Sequence, residues 1–201
     1  VMKSSGGTVV TADWDRDGDL DLFVGGRVVG GKYPTTPDTY LLRNEGGRFI
    51  DVTDVAALGL KQTGMVTSAL FTDVDNDGQS DLLVAHEWGP VKYYHNSSGK
   101  FTDQTEAAGL AELTGWWNSL ASADFDLDGD LDYVVGNFGH NTKYHASAGF
   151  PTLLYYGDFE KSGTPQIIEA EFEDETLYPV RGRSCSTNAM PHLANTFRSY
   201  H

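Results

Sequence analysis

The sequence predicts an all-β fold assembled from repeated small units, and three observations carry that prediction. One acidic loop recurs three times, starting at Asp13, Asp73 and Asp124, at intervals of 60 and 51 residues. Short runs of alternating apolar residues flank every copy. A second kind of segment also repeats, in which two such runs enclose a tight Asn/Gly/Ser turn. Period-two alternation punctuated by glycine marks strands, and self-similarity at blade-like spacing marks an array of like units.

The elements follow in order. The loops read ADWDRDGDLDLFVGG from Ala12, TDVDNDGQSDLLVAH from Thr72 and ADFDLDGDLDYVVGN from Ala123. Residues 8–12, 67–71 and 119–123 form strand-like runs before them. Leu20, Leu22 and Val24, residues 82–85 and residues 131–135 form the runs after them. YLLRNEGGRFIDVT (40–53) and KYYHNSSGKFTDQT (92–105) read as hairpins. Each leads into an alanine- and leucine-rich connector, VAALGL or EAAGLAEL, expected to make one helical turn. Four short strands per interval is the pattern of a β-propeller blade. Residues 1–179 are therefore predicted to form three to four four-stranded blades of a partial propeller. Residues 137–150 read as loop, so the third blade is expected to lack its outer hairpin. Residues 180–201 form a tail, predicted as a short C-terminal helix with Ser184 as N-cap. Met190, Leu193 and Phe197 fall at helical spacing there, and Pro191 restricts where the helix starts.

Each loop fits D-x-D-x-D-G-x-x-D. The carboxylates are Asp13, Asp15, Asp17 and Asp21; Asp73, Asp75, Asp77 and Asp81; and Asp124, Asp126, Asp128 and Asp132. Glycine at position six permits a sharp reversal, after which Asp19, Gln79 or Asp130 at position seven offers its backbone carbonyl. Four carboxylates this close repel unless a cation neutralises them. Oxygen-only ligands in a flexible ring suit calcium better than magnesium or zinc, so about three calcium ions are expected. An EF-hand is excluded: position twelve is Val24, Val84 or Val135, inside an apolar β run, where that motif has glutamate before a helix. A fourth, degraded copy starts at Asp158 and carries Glu160, Ser162, Gly163 and Gln166, so weak binding or none is expected there.

Composition narrows the function. A net charge of −15 argues against a nucleic-acid phosphate surface. No apolar run approaches the roughly 18 residues of a membrane span, and any signal peptide is expected to have been removed or to lie upstream of Val1. Cys185 stands alone, so no intrachain disulfide framework arises and a small buried or idle thiol is expected. The six histidines form no HExxH spacing, and no G-x-S-x-G elbow is present. No enzyme is predicted. His140 and His145, near Asn141 and Tyr144, are expected to pack as polar loop. Trp14, Trp88, Trp116 and Trp117 are expected to fill core, with a sugar-stacking platform as the rival reading. Asn96-Ser97-Ser98 is a glycosylation sequon in a hairpin turn.

The loops and their strands resemble the FG-GAP or VCBS repeats of integrin-α-like propellers. Residues 64–91, 115–147 and 153–168 resemble more closely the bacterial repeat proteins associated with ASPIC/UnbV domains. That resemblance implies a calcium-stabilised propeller, secreted or surface-attached (or periplasmic), with adhesive roles toward protein or glycan ligands. A carbohydrate-binding or carbohydrate-active lectin- or lyase-like propeller is the alternative. A closed ring of this kind needs about seven blades. The chain is therefore expected to be a fragment or subunit of a larger assembly, completed by self-association or by further blades of the same polypeptide. No nucleic acid and no membrane insertion are expected.

Overall fold

The expected all-β class holds among the described residues, which in this computed structural model are 4–196 and 198. The chain divides into two units, Val1–Phe138 and Gly139–His201.

In the first unit, β1 (Ser5–Ala12), β2 (Asp21–Val28), β3 (Tyr40–Glu45) and β4 (Arg48–Asp51) form an antiparallel four-stranded sheet in sequence order. A six-stranded sheet follows. It contains β5 (Met65–Thr72), β6 (Asp81–Pro90), β7 (Lys92–Ser97), β8 (Lys100–Asp103), β9 (Thr114–Ala123) and β10 (Asp132–Asn137). Its order is β10-β9-β6-β7-β8, with β5 also on β6. The two-residue turns between β3 and β4 and between β7 and β8 have left-handed backbones. Gly46 and Gly47 supply φ of 61° and 93°, Ser98 and Gly99 φ of 51° and 81°. These are the values that match a turn to the right-handed twist of a hairpin.

The expectation of separate four-stranded units meets a difference here. Strand β6 continues past its pairing with β5, and Glu87, Gly89 and Pro90 pair with Trp116, Gly115 and Thr114 of β9. A register break between Glu87 and Gly89, with Trp88 at φ 59°, redirects the strand. The Trp88 and Trp116 rings stack at 5.8 Å across the junction. Of the two connectors, the first gives the helical turn α1 (Thr53–Ala56). The second makes hydrogen-bonded turns instead, from the Ala108 amide to the Gln104 carbonyl and from Leu110 to Thr105.

The core of this unit draws on both sheets. Trp14, Phe23, Leu41, Leu60, Val66, Leu82, Val84, Tyr94 and Phe101 belong to one buried cluster. Trp14, from inside the first acidic loop, meets Phe101 edge-on at 5.6 Å. Full burial of such a side chain contributes about 1.5–3 kcal/mol. The first loop is thus anchored by the ring that sits between its aspartates.

In the second unit, β11 (Leu153–Gly157), β12 (Gln166–Glu173) and β13 (Thr176–Pro179) form a three-stranded antiparallel sheet. Residues 139–152 contain a 3-10 turn, Gly139–Asn141, and no strand. The tail forms two short helices rather than one, α2 (Arg183–Ala189) and α3 (Leu193–Thr196). Gly182 is the N-cap, and Ser184 lies inside α2. The backbone leaves helical geometry at Met190, immediately before Pro191, because a residue preceding proline is driven out of the α region. Phe197, Tyr200 and His201 lie outside the described residues. Cys185 is exposed, so it is not a buried thiol.

Candidate metal centres

All three acidic loops have one backbone. Position four lies in the left-handed region although it is never glycine: Arg16, Asn76 and Leu127 have φ of 62°, 58° and 65°. Gly18, Gly78 and Gly129 at position six follow at 97°, 83° and 100°. The first aspartate organises this path by accepting two amides. Asp13 takes Asp17 and Gly18, each at 3.1 Å. Asp73 takes Asp77 at 3.1 Å and Gly78 at 2.8 Å. Asp124 takes Asp128 at 3.2 Å and Gly129 at 3.1 Å. Short polar side chains that bond nearby backbone are what hold such a turn.

Register then fixes position nine. Asp21, Asp81 and Asp132 pair with Ala12, Thr72 and Ala123, so each closing carboxylate stands at the neck of its loop. Asp81 Oδ2 accepts the Val74 amide at 3.1 Å and Asp132 Oδ2 the Phe125 amide at 2.9 Å. The outer hairpins reach the same carboxylates. The Asn44 amide donates to Asp21 at 2.7 Å, and the Asn96 amide to Asp81 at 2.6 Å. Asn44 and Asn96 also donate their side chains to the carbonyls of Leu20 and Ser80. These two asparagines, absent from the sequence-based site, clamp each loop to its hairpin.

The ligand-type oxygens converge. One oxygen each from Asp13, Asp15 and Asp17 lies within 4.8 Å of the others, and the same holds for Asp73, Asp75 and Asp77 and for Asp124, Asp126 and Asp132. Asp128 is not part of the third trio, and Asp21 and Asp81 stand beside the first and second. Asp21 and Asp81 are fully buried. The Trp14 amide acts favourably on the Asp21 carboxylate, in the place that the Val74 and Phe125 amides take in the other two loops. A buried closing carboxylate beside three further carboxylates fits an oxygen-seeking cation. The electrostatics agree. Burial, then the neighbouring Asp17 charge, pushes Asp15 above the ordinary carboxylate range, and burial does the same to Asp21 against the Asn44 amide. In the second loop the Gln79 backbone and side-chain N–H groups hold Asp77 below that range.

Position-seven side chains point to other partners. Asp19 accepts the Gly46 amide at 3.2 Å, Gln79 the Ser98 amide at 2.6 Å, and Asp130 the Asn76 side chain at 3.1 Å. The loops are also linked along the chain, since Arg16 donates to the Gly78 carbonyl. The fourth loop keeps the turn, with Lys161 and Gly163 at φ of 56° and 81° and Asp158 accepting Ser162 and Gly163. Among the described residues no carboxylate trio forms there. Glu160 instead meets His192 at 3.1 Å.

The tryptophans, loop histidines and sequon singled out by the sequence resolve into structure. Trp14 alone of the four is buried core; Trp88, Trp116 and Trp117 are half-buried, the first two stacked on each other and Trp117 donating to the Leu113 carbonyl. Tyr144 bonds Glu169 and the His145 amide bonds Glu171, as ordinary loop packing. Asn96 is fully buried with its amide spent on the Trp14 and Ser80 carbonyls, which excludes it as a glycan acceptor in the folded chain.

Residues 13–84 and 73–135 match the FG-GAP-like repeat. A stretch of 103 residues, 48% of this chain, is 28% identical to cartilage acidic protein 1 of Mus musculus and covers 16% of that protein's length.

Proposed function

This chain belongs to the FG-GAP-like repeat family, and from that premise we propose that it is a non-enzymatic, calcium-binding β-propeller module acting outside the cytoplasm. The observation that carries the reading is the convergence of three aspartate oxygens in each of the three full loops, with the buried closing carboxylates of Asp21 and Asp81 at the necks of the first two. Calcium would be held by positions one, three, five and nine and by the position-seven carbonyl. It would supply the positive charge that lets these groups share one turn, and so stiffen the neck of each strand pair. The Asn44 and Asn96 clamps pass that stiffness to the outer hairpins.

In this reading the sheets are blades, the module is adhesive, and its partners are protein or glycan ligands at a cell surface. The kinship to ASPIC/UnbV-associated repeat proteins belongs to the same proposal. So does completion of the ring by further blades, from the same polypeptide or from other copies. No helix among the described residues is long and apolar enough to cross a membrane.

Thermal melting in calcium and in excess chelator tests the core of this reading. Ligand at about 100 times its Kd adds about 2.7 kcal/mol per site, so a large upward shift of the melting temperature in calcium is expected. Coincident curves would refute calcium binding. Sedimentation in calcium tests completion by other copies: species larger than one chain are expected, and a stable monomer at micromolar concentration contradicts that part.

A further inference from the structure

Strand β7 sets an imidazole against the second acidic loop. Leu82 pairs with Tyr94, so His95, the next residue along β7, stands level with Asp81 at the start of β6. His95 Nδ1 lies 3.2 Å from Asp81 Oδ1 and 3.3 Å from Asp75 Oδ2. These three atoms form a single group of ligand type. A tetrahedral ion with bonds of 2.0–2.1 Å keeps its ligands about 3.3 Å apart, which is the spacing of both His95–aspartate contacts, and the Tyr93 hydroxyl stands 3.4 Å from the same Nδ1.

The anchoring carboxylate is held from behind. Asp81 Oδ1 takes the Asn96 amide at 2.6 Å, and Oδ2 takes the Val74 amide and the Tyr93 hydroxyl at 3.1 Å each. Outer bonds of this kind fix the orientation of metal ligands. On the open side the Asp75 side chain is 44% exposed and that of His95 28%, so an ion and its water have a way in. With Nδ1 as ligand, the imidazole proton resides on Nε2.

The other loops lack this donor. Arg43 takes the matching place on β3, one residue beyond the Leu22–Leu42 pair, and a guanidinium has no lone pair to give. Among the described residues no hairpin strand pairs with β10.

We propose that the second loop is a mixed nitrogen–oxygen site for a divalent transition ion of the zinc class. His95 Nδ1, Asp75 and Asp81 are its ligands, and solvent completes the shell. Two carboxylates and a neutral imidazole balance the ion's charge, and the nitrogen donor favours zinc over calcium. The proposal rests on the reading of this loop as a cation loop and changes which cation it takes. Asp75 and Asp81 serve either ion, so the two compete.

The test is calcium stoichiometry of the whole chain by titration calorimetry, with and without one equivalent of zinc. Cobalt absorption in the visible provides the second readout. Zinc is expected to lower the calcium count from three to two. Cobalt at one equivalent is expected to give the intense bands of low coordination. His95→Gln is expected to restore three calcium ions in zinc and to weaken zinc by more than roughly tenfold. Arg43→His, which leaves the second loop untouched, is expected to add a zinc site at the first. Zinc affinity unchanged in His95→Gln, or a calcium count of three in the presence of zinc, overturns the proposal. A chain that takes no calcium but one His95-dependent zinc sinks the calcium reading and supports this one.

Discussion

The loop at Asp73 and the loop at Asp158 follow one backbone path with different side chains. Both place a non-glycine residue and then a glycine in the left-handed region, Asn76 and Gly78 in one, Lys161 and Gly163 in the other. Both close with position nine paired to the residue before the first aspartate, Thr72 with Asp81 and Gly157 with Gln166. Gln166 even accepts the Phe159 amide at 2.9 Å, as Asp81 accepts that of Val74. Yet Asp75, Asp77 and Asp81 have become Glu160, Ser162 and Gln166. The turn therefore needs only its first aspartate, its glycine and an acceptor at position nine. The added carboxylates of the first three loops repel one another at this range, although Asp21 and Asp81 also accept the Asn44 and Asn96 amides of the outer hairpins. In the proposed reading a cation offsets that repulsion.

Truncation at position nine separates the two loops most. Asp81→Ala is expected to remove one ion and to leave the Asn96 and Val74 amides and the Tyr93 hydroxyl without their acceptor, a loss of about 3 kcal/mol or more. Gln166→Ala is expected to cost about 1 kcal/mol and no ion. Urea unfolding with a parallel calcium count checks both, and equal losses would break the comparison.

Acid separates the two units next. His86 is buried in the first, with Nδ1 bonded to the Pro90 carbonyl and Nε2 to Thr63. Burial lowers its pKa from 6.5 to about 4, against the Pro90 bond. The unfolded chain therefore takes up a proton that the folded chain refuses, and stability falls as pH drops from 6.5 toward 4, by roughly 3 kcal/mol in all. In the second unit, burial of Glu169 opposes its charge, but the Tyr144 hydroxyl, Lys143 and Arg181 outweigh it and hold its pKa below 4.5. Its contribution is present above 4.5 and lost only below that. Denaturant midpoints against pH are expected to fall first for the first unit, and His86→Gln to remove that early fall. An unchanged profile in His86→Gln contradicts the assignment.

Restoring side chains to the fourth loop is a smaller and opposite change. Ser162→Asp combined with Gln166→Asp is expected to add an ion in millimolar calcium, worth about 1–2 kcal/mol near ten times its Kd. No gain in the calcium count would mean that the carboxylates alone do not make the site. Smallest of all is Asp19→Ala, which loses only the Gly46 bond. It is expected to cost about 0.5–1 kcal/mol with the ion retained. Loss of the ion there would move a ligand from the position-seven carbonyl to its side chain.

Much of this is legible in the sequence, because the repeated loop fixes both its own turn and the strands on either side. Asp, Gly and apolar alternation are local signals. What the sequence hides depends on contacts distant along the chain. Asn96 stands in the sequence only as part of a sequon, and nothing there shows that the Trp14 carbonyl of the first loop takes its side chain. His95 has no motif around it, and only the β6–β7 register brings it to Asp81. The left-handed position four carries Arg, Asn, Leu or Lys, so residue type gives no warning. The continuation of β6 onto β9 follows from a bulge and a tryptophan stack that no periodicity encodes. In the tail, helical spacing across Met190 and Leu193 suggests one helix, but Pro191 divides it into two.

The central claim is that carboxylate content, rather than turn shape, decides which loops hold calcium. Equilibrium dialysis of the whole chain against calcium in zinc-free buffer, at saturation, measures this most directly. The account predicts three ions per chain, falling to none when Asp21, Asp81 and Asp132 are replaced together by asparagine. Four ions in the unaltered chain, or three that survive the triple substitution, would contradict it.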